Sequence, residues 1–87
     1  MIYVDVLRRH PSGEWCHLFS DESTDELHEL ADRIGMKRAW YQSSSDMPHY
    51  DLRPSMRVKA LAAGAREISD KNMVAIIQKW RARKCQA

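Results

Sequence analysis

Residues 15–35 read WCHLFSDESTDELHELADRIG and place a strand directly before the clearest helix of the chain. Trp15, His17 and Phe19 alternate with Cys16 and Leu18, the period of two expected of a strand over 15–20. Ser23-Thr24-Asp25-Glu26 then has capping-box spacing, in which a Ser hydroxyl and a Glu carboxylate satisfy the free amides of a helix start. Leu27, Leu30, Ala31 and Ile34 fall at i, i+3, i+4 and i+7 and form one apolar stripe. Gly35 suits the left-handed position that closes such a helix.

Upstream, residues 2–7 alternate, with Ile2, Val4 and Val6 on one side and Tyr3, Asp5 and Leu7 on the other, which predicts another strand. The seven residues Arg8–Glu14 contain Pro11, Ser12 and Gly13, a turn cluster. A parallel crossover needs about a dozen residues, so the first two strands should form an antiparallel hairpin. Downstream, Arg38–Gln42 reads as a third strand followed by a Ser-rich loop. A second helix begins near Pro54, whose missing amide suits a first turn, buries Val58, Leu61 and Ala62, and ends at Gly64. Ala65–Ile68 is a brief fourth strand. Ser69 is an N-cap for a last helix carrying Met73, Ile76, Ile77 and Trp80, with Lys79, Arg81, Arg83 and Lys84 opposing its dipole. The expectation is an α/β protein with a small single-layer sheet of about four mixed strands, order β-β-α-β-α-β-α, and helices packed on it. It occupies one domain over 1–87 with a basic tail at about 81–87.

A chain of 87 residues folds alone only marginally, and homodimerisation would help it. Apolar content of 44% and charged content of 30% exclude wholesale disorder. No apolar run approaches the roughly 18 residues of a membrane span, and MIYVDVLRR does not read as a signal peptide, so no membrane role is expected. Cys16 and Cys85 are isolated, without a Cys-x-x-Cys pair, which suggests free thiols and a cytoplasmic protein. Residues 1–36 carry three Lys/Arg against eight Asp/Glu, whereas 37–87 carry eleven against four. Such a split either builds a basic face for phosphates or nucleic acid, or lets the two halves attract each other within the fold.

The densest polar group lies in residues 40–57, WYQSSSDMPHYDLRPSMR. In an open α/β sheet, ligands bind beyond the carboxyl ends of parallel strands, where Gln42–Arg53 would form a long connection. His49 and Asp51 can share a metal or act as an acid–base pair; equally, Asp51 can cap the second helix with His49 beside it in a turn. Arg57 is placed to bind a phosphate or carboxylate bidentately, with Gln42, His17 and Tyr50 as further ligand-binding candidates. His17, His28, His49, Asp5 and Asp51 have the donor types of a divalent metal, the one cofactor suggested, although their spacing matches no recognised metal motif. Each also has a structural reading: a satisfied core histidine for His17, a helix flank for His28, and a paired buried acid for Asp5. A Gly-rich phosphate loop and a Gly-x-Ser-x-Gly elbow are both missing.

IYVD, HLFSD, DELHELADRIGM, WYQ, HYD and KALAAGAREIS, in that order, resemble a set of short bacterial and bacteriophage proteins, the domain-of-unknown-function family 4031. The resemblance covers about residues 1–70. Its recurrent polar positions correspond here to Asp5, His17, His28, Gln42, His49, Asp51 and Arg57, which implies a shared polar site. Arg53 stands where such sequences often have a capping Thr. The resemblance supplies no activity. Two functions are therefore carried forward. One is a His/Asp/Arg site that binds, and can hydrolyse, a phosphate-bearing ligand such as a nucleotide. The other is a non-enzymatic phage or prophage regulator that binds a host protein or nucleic acid through its charged surfaces.

Overall fold

The structure, a computed structural model, describes residues 1–43 and 46–86, with side chains to residue 83. Two serines of the expected loop, Ser44 and Ser45, and the side chains of the tail from Lys84 onward lie outside the described residues. The elements are β1 (Ile2–Val4), β2 (Arg8–His10), β3 (Gly13–Ser20), α1 (Thr24–Arg33), β4 (Tyr41–Gln42), β5 (His49–Leu52), α2 (Pro54–Ala62), β6 (Arg66–Glu67) and α3 (Asp70–Gln86), with a short 3-10 turn at Arg38–Trp40. The sheet runs β4-β5-β3-β1-β6, and β2 extends one end of β3. Among the described residues, only β1 and β6 pair in parallel, and every other pairing is antiparallel.

An α/β protein with a small mixed sheet and helices packed on it is thus present. Its strands exceed the expected four for two reasons: Arg8–His10, read as part of a turn, forms β2 while the first strand shortens to Ile2–Val4, and HYDL, read as loop, is a strand. Because β5 returns antiparallel to both β3 and β4, the carboxyl-edge site expected between parallel strands does not form. The 15–35 stretch behaves as its periodicity predicts. Leu18, Cys16, Leu27, Leu30, Ala31 and Ile34 join Val4, Tyr50, Leu52 and Ala60 in a core between the sheet and α1 and α2. Phe19 points to the opposite face, where Met47 and Met73 bury it with Ile76, Ile77 and Trp80 of α3. With both faces covered, Leu18 and Phe19 are each fully buried although they are neighbours in sequence.

The first strand breaks at Asp5. Val4 pairs with Leu18 and Arg8 with Trp15, so residues 5–7 oppose only residues 16–17. That extra residue is a β-bulge, and it reverses the alternation beyond it. Val6, expected beside Ile2 and Val4, is 46% exposed, while Leu7 packs on the α1–α2 core. Asp5 is fully buried. Its carboxylate accepts the backbone amide of His17 at 2.6 Å, and its carbonyl accepts Arg57 Nε at 3.1 Å. The bulge is therefore held from both sides by side-chain hydrogen bonds.

Helix α1 uses half of the expected capping box. Ser23 accepts the Glu26 amide at 3.3 Å, but the Ser23 amide turns to Ser20 Oγ at 3.1 Å. The Glu26 carboxylate instead accepts the Met1 ammonium at 2.7 Å and the Ser20 hydroxyl. Burial alone would raise the Glu26 pKa; the hydrogen bonds from the ammonium and from Ser20 outweigh it and hold the carboxyl below its usual range. A depressed carboxyl contributes stability that is present above its unfolded pKa and lost as pH falls through its folded one. Glu26→Gln is therefore expected to flatten the acid side of the stability–pH profile by lowering stability near neutrality while leaving it little changed at low pH. Parallel acid limbs for the two proteins in urea unfolding would remove this role.

Helix α2 starts at Pro54, as expected, and Arg53 provides no side-chain cap. The Arg53 guanidinium crosses to the β2–β3 hairpin, donating to Ser12 O at 2.7 Å and lying 4.9 Å from the Trp15 ring centre. Gly13 closes that hairpin with φ of 126°, a conformation side-chain-bearing residues rarely adopt. Among the described residues, no helix is long and apolar enough to cross a membrane.

Candidate functional site

Strands β3 and β5 lie side by side with His17 directly opposite Asp51 and Leu18 opposite Tyr50. Side chains alternate across a strand, so the pleat divides the His49-Tyr50-Asp51 run. His49 and Asp51 share the face of His17, whereas Tyr50 points into the α1–α2 core. One donor atom from each of His17, His49 and Asp51 lies within 4.8 Å of the other two. His49 Nε2 is 3.4 Å from Asp51 Oδ1, and the two imidazoles meet edge to face with centroids 4.8 Å apart.

Each of the three is oriented from behind. His17 Nδ1 lies 2.7 Å from Asp5 Oδ2, and His49 Nδ1 lies 2.8 Å from the Met47 carbonyl. A carboxylate and a carbonyl can only accept, so each neutral ring carries its proton on Nδ1 and its lone pair on Nε2. Gln42, paired with His49 across β4 and β5, donates its side-chain amide to Asp51 Oδ2. An imidazole hydrogen-bonded to a carboxylate through one nitrogen and open at the other is the usual way a metal-binding histidine is fixed and made more basic.

The electrostatics agree. Burial pushes the Asp5 carboxyl up, but hydrogen bonds from the His17 ring and amide, with the charge of Arg8 at 3.6 Å, hold it below its usual value. The His17 imidazole is raised, chiefly by its hydrogen bond to Asp5 and further by the charges of Asp5 and Asp51, against the opposing effect of burial. Both shifts follow chiefly from the Asp5–His17 hydrogen bond working against burial.

Two cavities meet at His17, and a third, about 380 Å3, touches Asp51 beside Trp15 and Arg53. The larger of the two at His17, about 370 Å3, is walled by Arg8, Arg9, Trp15, His17 and Asp51. A smaller one, about 210 Å3, is walled by His17, His49, Met73, Ile77 and Arg81. His17 faces both. Arg8 is ion-paired with Asp70 and Arg81 with Asp46, at exposed positions where such pairs contribute little and a bound anion competes readily.

Of the residues singled out in the sequence, the structure brings together His17, His49 and Asp51, with Gln42 and Asp5 behind them. Asp5 supports His17 and stands one step back from the cluster. Arg57, expected as an anion anchor, is placed elsewhere: it reaches the Asp5 carbonyl and pairs with Glu67 at 3.2 Å, holding the bulge. His28 and Tyr50 lie across the sheet. His28 Nδ1 is 2.7 Å from the Tyr50 hydroxyl, and its ring packs on Tyr41 at 4.4 Å. Burial, helped by Arg38, lowers the His28 pKa, and burial raises that of Tyr50. The residues missed are Arg8, Arg9 and Trp15; two adjacent arginines ahead of a hairpin turn were the available signal. A second carboxylate group, Asp21, Glu22 and Glu26, is already occupied by the Met1 ammonium.

Cys16 is not part of the cluster. It is buried in the α1–α2 core, and burial pushes its thiol up to about 11. Thiolate is the reactive form, so in a Cys85→Ser background native protein should react with iodoacetamide at about pH 8 far more slowly than urea-unfolded protein. Equal rates would contradict this burial.

No curated protein and no solved structure matches the chain. A family model described as "Protein of unknown function (DUF4031)" matches residues 2–80, a span that contains the whole sheet, α1, α2 and the cluster. The chain belongs to the DUF4031 family.

Proposed function

We propose that His17, His49 and Asp51 hold a divalent metal ion and that the protein uses it to hydrolyse a phosphate ester. The observation that carries this reading is the convergence of three donor atoms within 4.8 Å, each side chain oriented by a separate hydrogen bond. Two imidazoles and one carboxylate are the donors of catalytic zinc and of related transition-metal sites that keep open positions for water and substrate. When bound, such an ion lowers the pKa of a coordinated water and polarises a phosphoryl oxygen.

The protein's own groups do the rest. Asp5 keeps the His17 proton on Nδ1, so Nε2 is the ligating atom. Gln42 fixes one Asp51 oxygen and leaves the other for the ion. Arg8, Arg9 and Arg81 surround the cluster with positive charge, which draws an anionic substrate and stabilises the charge of the pentacoordinate transition state. Arginines on both sides favour phosphate chemistry over reactions of neutral substrates.

Chelator-treated protein should take up one equivalent of Zn2+ or Mn2+ in titration calorimetry. The loaded form should hydrolyse a chromogenic phosphate ester, and EDTA should abolish that activity. Protein that takes up no divalent metal would end this reading.

A further inference from the structure

We infer that the substrate is a phosphodiester with a group on each side of the scissile phosphate, a short single strand of nucleic acid. This rests on the metal reading above and goes on to specify what the site acts on. The metal-binding cluster stands between two cavities: His17 and Asp51 wall the larger, and His17 and His49 wall the smaller. A phosphate on the ion would then have space on both sides. A monoester fills one side only, whereas a diester uses both.

The two sides differ in a way that suits a nucleotide chain. The larger cavity, about 370 Å3, lies within the range of sites that take a small organic ligand and is lined by the Trp15 indole together with Arg8 and Arg9. Arg53 lies on that indole at 4.9 Å, adding positive charge to an aromatic platform. Aromatic rings among arginines bind bases by stacking without strong sequence preference. At about 210 Å3, the smaller cavity is below that range and suits a sugar–phosphate next to Arg81. Hydrolysis is balanced without an oxidant: water supplies its OH to phosphorus, the bond to one ester oxygen breaks, and that oxygen leaves as an alcohol with the remaining proton. The products are a phosphomonoester end and a hydroxyl end.

The test uses full-length Mn2+-loaded protein with fluorescein-labelled oligothymidylate, bis(p-nitrophenyl) phosphate and p-nitrophenyl phosphate. Oligothymidylate and the diester should be cleaved with kcat/KM at least about tenfold above the monoester. Arg9→Glu should lower kcat/KM on oligothymidylate about tenfold, because it reverses a phosphate-attracting charge, while Mn2+ uptake stays that of the parent. Trp15→Ala should show the same pattern if it folds, and Arg9→Glu carries the test alone if it does not. Metal uptake with monoester turnover and an intact strand would overturn this inference and leave the metal reading standing. Strand cleavage insensitive to Arg9→Glu would overturn the larger cavity as the base side. Failure of metal uptake would remove both readings.

Discussion

Asp5→Ala is expected to cost the fold about 2–4 kcal/mol, because it removes two hydrogen bonds to a charged acceptor and leaves their donors without a partner. Asp5 is fully buried, and its carboxylate accepts both the His17 amide at 2.6 Å and the His17 ring at 2.7 Å. Alanine leaves that amide without its acceptor and the ring without its partner, and the bulge that displaces Val6 and Leu7 loses its clamp. A domain of this size has total stability of about 5–15 kcal/mol, so this one change consumes much of it. Asp5→Asn should be milder, at about 1–3 kcal/mol, because its carbonyl can still accept the amide while its NH2 conflicts with the His17 proton. Urea unfolding measures both. An Asp5→Ala protein within about 1 kcal/mol of the parent would mean that the bulge forms without the carboxylate.

Much of the architecture was legible because its signals are local. Helix α1 and strand β3 follow from periodicity within a dozen residues, and Pro54, Gly64 and Ser69 mark helix boundaries by backbone chemistry. The bulge at Asp5 was not legible in that way. Alternation within residues 2–7 is regular, and only the register against β3 shows that one residue is extra. Asp5 was conspicuous as an acid in an apolar strand, yet its consequence, the flip of Val6 outward, depends on a partner, His17, that lies twelve residues further along the chain and meets it only in the folded sheet. Strand β5 was hidden for a related reason. His49 and Asp51 have weak β-propensity and Pro48 precedes them, but pairing with β3 on one side and β4 on the other overrides that preference.

The candidate site divides along the same line. Reading HYD as a strand would have put His49 and Asp51 on one face, with Tyr50 opposite, and would have aligned them with the His17 face of β3. Reading it as a loop kept all three together and left His17 a weaker candidate. Arg57 and His28 were judged by proximity in sequence or by residue type. Both sit on helices that cover the other face of the sheet, and no local pattern says which face a helix will cover. Arg8 and Arg9 became neighbours of the cluster only because β2 folds back along β3 at Trp15 and Glu14.

His49→Ala is expected to weaken Zn2+ binding by two orders of magnitude or more, about 2.7 kcal/mol. The decisive feature is the order of effects across the cluster. His17→Ala and Asp51→Ala should be as severe, since each removes one of the three donors found within 4.8 Å of one another. Asp5→Asn, which acts through the His17 ring, should cost about 10–100-fold, the range for residues that orient a ligand. Gln42→Ala should cost less, because it leaves Asp51 in place. His28→Ala should leave affinity unchanged, since His28 is bonded to Tyr50 on the other face of the sheet. Thermal unfolding gives a second view of the same equilibrium. An ion held at about a hundred times its Kd stabilises the folded state by about 2.7 kcal/mol, which for a domain of this size raises Tm by roughly 10 °C or more. That rise should vanish in His49→Ala and persist in His28→Ala. Equal loss in the two variants would mean that zinc binds adventitious surface histidines, and the paired imidazoles of β3 and β5 would then be a packing contact.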